Sequence, residues 1–558
     1  LYLLAYGSSY LGAGGSRLIT PDMIPNVAVA FAATVVCSFF GLFLFIIFRK
    51  IWLLEDPLPC PGFEATIKLV DIANDVATGT AKKSMRSIIQ VAVWTGLAGL
   101  FTFLKDFPMM QHSGKTVSLF DWLFNSSGWY SGGKLMVPYK YDNSLYTHID
   151  FALSPMMFAT GWFMKARSAF LVAAGSLLTW IIVVPAAMLL NVEVYVPKID
   201  AYKGIMDAYF TTVYPSIPLA AYKEVAVPIA IGAILGGGIT ALLKMSKVFV
   251  SCFKDMMSAR TSEKKDYIGG KGWYEWPYSH IGISAAIMLL GLPLVLIIAG
   301  YPWPQSIATS VVLFVLTLFL SAIAVKVMGE IRTTPVSGTS FIMMMALAGV
   351  LSLLGTEPKL LVVMTLFGTA LFGTACSLAA DVVSDFKTAI YCGSRPYYQM
   401  KGEIIGMVPG AAAAIIGASI LSFGLANGTL DLAAPQANAF AKFTQALVGG
   451  QAPYMLMGIG FAIGVVADLL TGMGTSFGLG MYFPLSTSLT ILLGGVARTL
   501  WEKNSLNKNA KKYNWSDKEK TLKLIDTFMA STGLIVGEAL VGTIIGLYLV
   551  IPMMFGAK

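Results

Sequence analysis

Uncharged, apolar runs recur from the beginning of this chain to its end, and they constrain its fold more than any other feature. A run of about 20 apolar residues is long enough to cross the hydrocarbon core of a bilayer as a helix. Only 12% of the 558 residues are charged, whereas a soluble domain carries roughly 25%. We therefore interpret the runs as membrane-spanning helices, at residues 27–48, 87–104, 168–190, 225–243, 281–300, 305–325, 336–356, 360–380, 404–425, 453–470, 478–497 and 526–551.

The runs predict an all-α polytopic membrane protein of about 14–16 membrane helices, some of them re-entrant or broken. We expect residues 1–280 to form a first membrane half and residues 281–558 a second. Breaks rich in Pro and small residues, at 51–66 and 479–496, favour two pseudo-repeated halves, although chance similarity would give the same pattern. The sequence starts with Leu inside apolar residues, so N-terminal helices are expected to be missing.

Positive charge predicts which loops face the cytoplasm. Lys and Arg are concentrated in the loops 244–280 and 498–524, and basic loops are retained on the cytoplasmic side. The loops before and after the later spans can both be cytoplasmic only if one of the apolar segments between them is re-entrant. The candidate is the segment 478–497, which Pro484 interrupts. A shorter apolar segment, 151–164, reaches only part of the way across a bilayer. We predict a multi-pass protein of the cell (plasma) membrane.

Several function classes find no support in the residues. The five cysteines and three histidines show no metal-ligand spacing, and no phosphate-binding glycine loop is present. We expect no cofactor and no metal site. The aromatic and basic tract 498–523 is better suited to lipid headgroups than to nucleic acid, so we expect membrane lipid and no nucleic acid as a partner.

The stretch 372–402 places charge between two apolar runs, which predicts a binding site. Ionisable groups near the bilayer centre cost at least about 2.5–3.5 kcal/mol each, so they persist where they bind something or line a path. We predict that 381–401 and 479–490 are non-helical or re-entrant and line one cavity; the alternative for the first is a short solvated loop. The candidate substrate-binding residues are Asp385, Lys387, Tyr391, Arg395, Tyr397, Tyr398, Ser486 and Thr487.

A few carboxylates within apolar sequence are candidates for proton coupling. A carboxyl group in apolar surroundings can bind and release protons near neutral pH. Glu538 is the first candidate, because no Lys or Arg lies close to it in sequence. The alternative for Glu330 and Asp468 is that they form ion pairs at span ends. The alternative for Glu538 is that it hydrogen-bonds a neighbouring broken helix and takes no part in coupling. The candidate coupling residues are Glu538, Asp381, Asp468 and Glu330.

An intramembrane enzyme is the alternative class. Asp381 and Asp385 have the i, i+4 spacing of carboxylates that hold Mg²⁺ against a lipid pyrophosphate, with Lys387 and Arg395 near the phosphates. Such chemistry usually brings several acidic clusters, and the sequence offers one. We therefore expect no enzymatic activity.

The chain resembles the oligopeptide transporter (OPT) family, nearer its yellow-stripe-like and prokaryotic branches. The resemblance rests on motifs that occur in order along most of the chain: EDPLPCPGFEAT, LSPMMFATGWFMKARSAF, GEIRTTPVSGTS, SDFKTAIYCGSRP, GLGMYFPLSTSLTILLGG and GLIVGEALVG. A Gly-Leu-Lys-Thr-Gly-like stretch of the first half is absent. At its second-half equivalent, Asp385–Thr388, the usual Gly-Tyr is replaced by Ala389, Ile390 and Tyr391.

The resemblance implies symport by alternating access, usually driven by protons. The implied substrates are small peptides, peptide-like molecules or metal complexes of amino-acid-derived chelators. The expected partners are thus a small-molecule substrate, protons and membrane lipid, and a homodimer is left open.

Overall fold

A computed structural model describes the chain in segments. It covers the sequence apart from residues 7–16, 51–83, 113–114, 125–129, 132, 137–149, 165, 197–200, 215, 245–278, 332–335, 395, 429–436, 438–439, 442–443, 445–452 and 555–558. The predicted break at 51–66 and most of the basic loop 244–280 therefore lie outside the described residues.

The described residues are overwhelmingly helical, as the apolar runs predict. The helices are α1 (Tyr2–Tyr6), α2 (Val27–Lys50), α3 (Ser84–Asp106), α4 (Leu119–Phe124), α5 (Pro155–Phe163), α6 (Ala166–Leu177), α7 (Val184–Leu189), α8 (Ala208–Val213), α9 (Ile217–Ala221), α10 (Val227–Lys244), α11 (Ser279–Ala286), α12 (Leu292–Ile298), α13 (Trp303–Ile331), α14 (Val336–Leu353), α15 (Pro358–Tyr391), α16 (Pro396–Ala426), α17 (Tyr454–Thr471), α18 (Gly474–Tyr482), α19 (Leu485–Trp501), α20 (Asn507–Lys512) and α21 (Asp517–Met554). A 3-10 turn covers Pro21–Met23, and π-helical turns at Leu178–Val183, Tyr222–Ala226, Ile287–Gly291 and Glu502–Leu506 continue the helices before them.

Eight helices of the described part are long and apolar enough to cross a membrane. Little of the described chain is strand, so the predicted class, an all-α polytopic membrane protein, is confirmed. The strands form short antiparallel hairpins between helices, in which β1 pairs with β2, β4 with both β3 and β5, and β6 with β7. Their bounds are β1 (Met110–His112), β2 (Lys115–Val117), β3 (Tyr130–Ser131), β4 (Lys134–Met136), β5 (Asp150–Ala152), β6 (Glu193–Val196) and β7 (Ala201–Gly204).

The chain divides into two compact units, and the first is built around α15. This unit comprises residues 1–71, 238–428 and 436–452. α15 packs against α2, α13 and α14. Gly41 of α2 lies directly against the backbone of Ala375 on α15, an approach that only small residues allow. Large side chains such as Phe372 fill the core beside this contact.

The second unit is a bundle of paired helices in which glycines recur at the contacts. It comprises residues 72–237, 429–435 and 453–558. α3 packs against α21, α5 against α19, and α6 against both α18 and α19. Gly161 of α5 faces the backbone carbonyl of Ile491, and Gly494 of α19 faces that of Phe158. Glycines on both members of a pair let the two backbones meet.

Each unit takes helices from both of the halves predicted from the sequence. α2 comes from the predicted first half (1–280) and α15 from the second (281–558), yet both lie in the first unit. The division into pseudo-repeated halves concerns similarity along the sequence and stays a prediction.

The predicted break at Pro484 is confirmed. The apolar run 478–497 is divided into α18 and α19 by an extended turn at Phe483 and Pro484, whose ψ angles are 145° and 147°. The segment 151–164 likewise contains one short helix, α5, of 9 residues. A helix of that length rises only about 13.5 Å, less than half of the hydrocarbon core.

The structure contradicts the non-helical alternative for 381–401 and for 479–490, because both are helical apart from a short turn, and the re-entrant alternative stays a prediction. α15 continues as a regular helix to Tyr391, and α16 starts at Pro396. The residues 381–391 contain neither Gly nor Pro, so nothing in them interrupts a helix. The turn is short because Gly393 adopts the left-handed conformation, with φ of 73°.

Candidate functional site

Two carboxyl side chains meet between α15 and α16 in the first unit. The carboxyl group of Asp385 lies close to that of Glu403, and the two interact electrostatically. Glu403 accepts a bond of 3.0 Å from the side-chain amide of Gln399. Two carboxylates have only acceptors, so they repel each other when both are ionised. Asp381, one turn before Asp385, is exposed and adds negative charge to the pair.

The turn between these helices carries aromatic side chains and cations. Tyr391 and Tyr398 are exposed, and the rings of Tyr397 and Tyr398 meet edge to face at 5.7 Å. The ammonium of Lys401 lies 4.5 Å above the ring of Tyr397. Lys387 is half-buried on α15. The sequence-predicted cation Arg395 lies outside the described residues.

In the second unit, Glu538 of α21 holds the N-terminus of α5. One carboxylate oxygen accepts a hydrogen bond of 2.8 Å from the hydroxyl of Ser154, and the other accepts one of 2.6 Å from the backbone N–H of Met156. Ser154 is itself the N-cap of α5, accepting from the N–H of Met157 at 3.1 Å. A helix N-terminus carries partial positive charge and unsatisfied N–H groups, so it stabilises a carboxylate there.

Asp468 makes the corresponding contact with α18. Its Oδ1 accepts a hydrogen bond of 3.1 Å from the backbone N–H of Gly474, the first residue of α18. Asp468 is buried. α5 and α18 both have 9 residues, and both are followed by an extended break and another helix. Two of the predicted coupling residues thus cap two similar short helices.

Glu330 remains the least described of the predicted coupling residues. It lies in the last turn of α13, and its side chain is outside the described part of the structure.

Ser486 and Thr487 lie in the first turn of α19, in the second unit. The hydroxyl oxygens of Ser486 and Ser488 are buried and accept or donate no hydrogen bond among the described residues. One turn further, the hydroxyl of Thr490 donates to the carbonyl of Ala152 at 2.9 Å, which ties α19 to the strand preceding α5. Asp385 and the tyrosines lie in the other unit, so a cavity shared by the two groups stays a prediction.

A cavity of about 450 Å³ lies in the first unit, and its described lining contains none of the predicted site residues. Its lining is apolar apart from hydroxyl groups such as those of Thr34, Ser340 and Ser422. Among the described residues, no charged side chain lines it, so these residues offer no counter-charge to a zwitterion.

Sequence reasoning missed the partners that tertiary structure brings to the acids. Lys105 and Asp106, at the end of α3, both act electrostatically on Glu538. No Lys or Arg lies close to Glu538 in sequence, but tertiary structure brings the cation Lys105 to it. Glu403 could have been found, since residues equally far from the turn face each other in a helical hairpin.

Within the described residues, no group of three or more His, Cys, Asp or Glu side chains is arranged to hold a metal ion. Among the described residues, Asp381 and Asp385 therefore have no third side chain with which to hold a metal ion. Nothing in the described structure supports the lipid-pyrophosphate enzyme.

The long apolar helices and the helix-capping acids define a multi-pass membrane protein with broken helices. Over residues 4–549 the chain matches the family described as OPT oligopeptide transporter protein. The chain belongs to this family, as the motifs in its sequence predict, and it is a transporter of oligopeptides or similar molecules. A comparison with curated proteins gave no match.

Proposed function

We propose that the chain is a secondary active transporter that carries small peptides, peptide-like molecules or metal–chelate complexes across the cell membrane together with protons. Transport proceeds by alternating access, as in membrane proteins built from broken helices. The family membership supports the substrate class. The proposal that the coupling ion is a proton rests on the carboxyl side chains of α15 and α16.

The proximity of the carboxyl groups of Asp385 and Glu403 is the observation that carries proton coupling. The pair binds one proton, and like charges that share a site cannot both ionise without cost. A conformational change that separates α15 from α16 at this point would favour release of that proton. Proton binding and helix position are thus linked.

Substrate recognition is assigned to the cations and tyrosines around the turn. Lys387 and Arg395 provide positive charge for the carboxylate of a peptide or chelator. Tyr391, Tyr397 and Tyr398 provide apolar surface with a polar tip, which suits peptide side chains of varied chemistry. Ser486 and Thr487 lie in the second unit, and their part in substrate binding stays a prediction.

The test is uptake into proteoliposomes of a library of di- to pentapeptides, glutathione and ferric chelates, measured by mass spectrometry. We expect accumulation under an imposed proton gradient and its collapse with a protonophore. Asp385→Asn and Glu403→Gln should lose accumulation, because neither amide can exchange the shared proton. Asp207→Asn, which changes an exposed loop carboxylate, is the matched control and should accumulate normally.

Accumulation that survives a protonophore would refute proton coupling. Normal pH-driven accumulation in both Asp385→Asn and Glu403→Gln would refute the assignment of the pair.

Glu538→Gln tests the other coupling candidate in the same assay. If Glu538 couples protons, the variant mimics its protonated form, so exchange survives while pH-driven accumulation is lost. If Glu538 only hydrogen-bonds α5, the amide keeps much of that bonding and both activities remain nearly intact.

A further inference from the structure

α5 is held at both ends by ionisable side chains of other helices. At its N-terminus Glu538 of α21 contacts Ser154 and Met156. At its C-terminus Arg498 of α19 donates from Nη1 to the carbonyls of Trp162 and Phe163, at 3.1 Å and 3.0 Å. An acid at the N-terminus and a base at the C-terminus both complement the helix dipole.

Arg498 is held firmly in this position. Its Nε donates to Glu502 Oε1 at 2.7 Å, and its guanidinium lies 5.1 Å from the ring of Phe528. A third, longer contact of 3.5 Å reaches the carbonyl of Met164. Only 12% of the side chain is exposed, which is little for a residue whose sequence context predicts a cytoplasmic charge.

The C-terminal half of α5 has further contacts that do not depend on charge. Gly161 meets the backbone of α19 at Ile491 and Gly495. The indole N–H of Trp162 donates to the hydroxyl of Thr527 at 3.2 Å. At the N-terminal end, Glu538 accepts hydrogen bonds from the hydroxyl of Ser154 and the N–H of Met156. The two ends of α5 are therefore anchored in different ways.

We propose that Arg498 is a positioning residue that fixes the C-terminal end of α5, so that neutralisation of Glu538 frees the N-terminal end alone. α5 then pivots at the break after Phe163, where the backbone is extended at Met164. This inference rests on the proposed uptake of a proton by Glu538. In the proposed transport cycle, α5 is the element that moves and its C-terminal end, held by Arg498, is the point about which it turns.

The groups around Glu538 are compatible with a change of charge there. From α3, Lys105 attracts the carboxylate and Asp106 repels it, and the two form an ion pair of 3.2 Å. From α5, the donors are the hydroxyl of Ser154 and the N–H of Met156. Glu502, on the π-helical turn that also packs against α21, is engaged by Arg498.

A lysine could keep the charge of Arg498 but not its role. The guanidinium is a planar fork whose separate N–H groups reach Glu502 and the carbonyls of α5 at once. An ammonium group is a point charge on a flexible stem and cannot span these acceptors in one geometry. Arg498→Lys therefore separates a charge that sets topology from a side chain that positions α5.

The test is hydrogen exchange of the purified full chain in lipid nanodiscs at pH 8 and pH 5, with rates corrected for intrinsic pH dependence. In the unmodified protein, protection of residues 154–160 should fall about tenfold at pH 5, the loss of one charge-assisted hydrogen bond. Residues 161–164 should keep their protection. Glu538→Gln should show the low protection of 154–160 at both pH values.

Arg498→Gln and Arg498→Lys should extend the pH-dependent loss to residues 161–164. If the Arg498 variants do not fold, Glu502→Ala, which removes the acceptor of the Arg498 Nε–H, should show the same spread at smaller amplitude. Lys503→Gln, an exposed charge of the same basic tract, should match the unmodified protein. Glu224→Gln, a half-buried acid that accepts from Tyr214, is the control for Glu538.

Two outcomes would overturn the proposal. One is protection of 154–160 that does not change between pH 8 and pH 5. The other is an Arg498 variant that lowers protection of 161–164 equally at both pH values, which is the result of a purely structural contact.

The uptake assay separates this inference from the proposed function. Proton-driven uptake together with a pH-independent α5 refutes the pivot and leaves the coupled transporter standing. A pH-dependent α5 in a protein whose uptake ignores the proton gradient refutes the coupled transporter.

Discussion

The carboxylate of Glu538 accepts a hydrogen bond of 2.6 Å from the backbone N–H of Met156, which lies 382 positions earlier in the chain. Asp468 repeats the relationship at Gly474, the first residue of the other nine-residue helix. A short helix satisfies few of its own backbone groups, because four N–H groups at its start have no partner within it. In this chain, acids from neighbouring helices accept hydrogen bonds from some of these N–H groups. This role explains why Glu538 and Asp468 occur within otherwise apolar sequence.

The cap at Asp468 predicts a loss of stability on its removal. Asp468→Ala leaves the N–H of Gly474 without this partner and should lower the free energy of unfolding by about 1 kcal/mol, as for other helix caps. Asp468→Asn keeps a carbonyl oxygen that can accept from Gly474, so it should lose less. Thermal unfolding in detergent, followed by tryptophan fluorescence, measures both variants. An Ala variant as stable as the parent would show that the cap contributes nothing.

Much of this fold could be predicted from the sequence, since apolar length and proline position determine where helices form in a membrane. The break at Pro484 and the partial span 151–164 were visible for that reason. The charge of Asp381 and Asp385 does not predict a break in the helix that contains them, because charge alone does not end a helix. A left-handed residue such as Gly393 is what permits the turn.

The partners of the site residues could not be predicted, because they depend on which helices pack together. Lys105 reaches Glu538 from α3, far away in sequence. In the sequence, Arg498 does not differ from the other charges of the basic tract. Its hydrogen bonds to carbonyls of α5 are what distinguish it. No local pattern in the sequence encodes these long-range contacts.

Two glycines on α17 should respond in opposite ways to the same substitution. A Cβ at Gly460 would collide with the backbone of Ile229, whereas a Cβ at Gly458 would meet nothing within 4 Å. Gly460→Ala should therefore destabilise the protein by about 1–3 kcal/mol through overpacking. Gly458→Ala should be neutral or stabilise it by up to about 1 kcal/mol, because Ala favours the helix. Thermal unfolding of the two variants side by side measures the difference. Equal unfolding midpoints would contradict the close approach of α17 to α10, the helix that contains Ile229.

The loop before α8 should be sensitive to acid. The backbone N–H of Tyr209 donates to Asp207 at 2.8 Å and lowers the pKa of this carboxyl, and a bond from Lys203 adds to the effect. Because the pKa is lower in the folded chain, the stabilisation is present above the unfolded value of about 3.9 and is lost as the pH falls through the folded value. Hydrogen exchange at Tyr209 should therefore accelerate below about pH 4 relative to intrinsic rates.

Asp207→Asn provides the control for this acid sensitivity. The amide can still accept from Tyr209 but does not titrate, so exchange in this variant should lose its pH dependence. Persistent acceleration below pH 4 in the Asn variant would assign the effect to another group.

Lys387 should matter for substrate binding more than a lysine of the outer basic tract. It is half-buried on α15, two residues from Asp385, and it is a proposed partner for a substrate carboxylate. A hydrogen bond to a charged group contributes about 1.5–3 kcal/mol, so Lys387→Ala should weaken binding of anionic or zwitterionic compounds about 10-fold to 100-fold. Ligand-induced thermal shifts with di- to pentapeptides, glutathione and ferric chelates measure this loss.

Lys512→Ala is the matched control, because Lys512 is exposed in the basic tract and lies 5.2 Å above the ring of Tyr513. Its removal lowers the positive charge of the chain by the same amount, so any effect of net charge on an anionic ligand is shared by the two variants. Binding by contact is not shared, since Lys387 lies on α15 next to the proposed site and Lys512 lies in the basic tract of the other unit. Equal losses of affinity in the two variants would mean that Lys387 acts through membrane topology or overall charge, and the substrate site would then have to be sought away from α15.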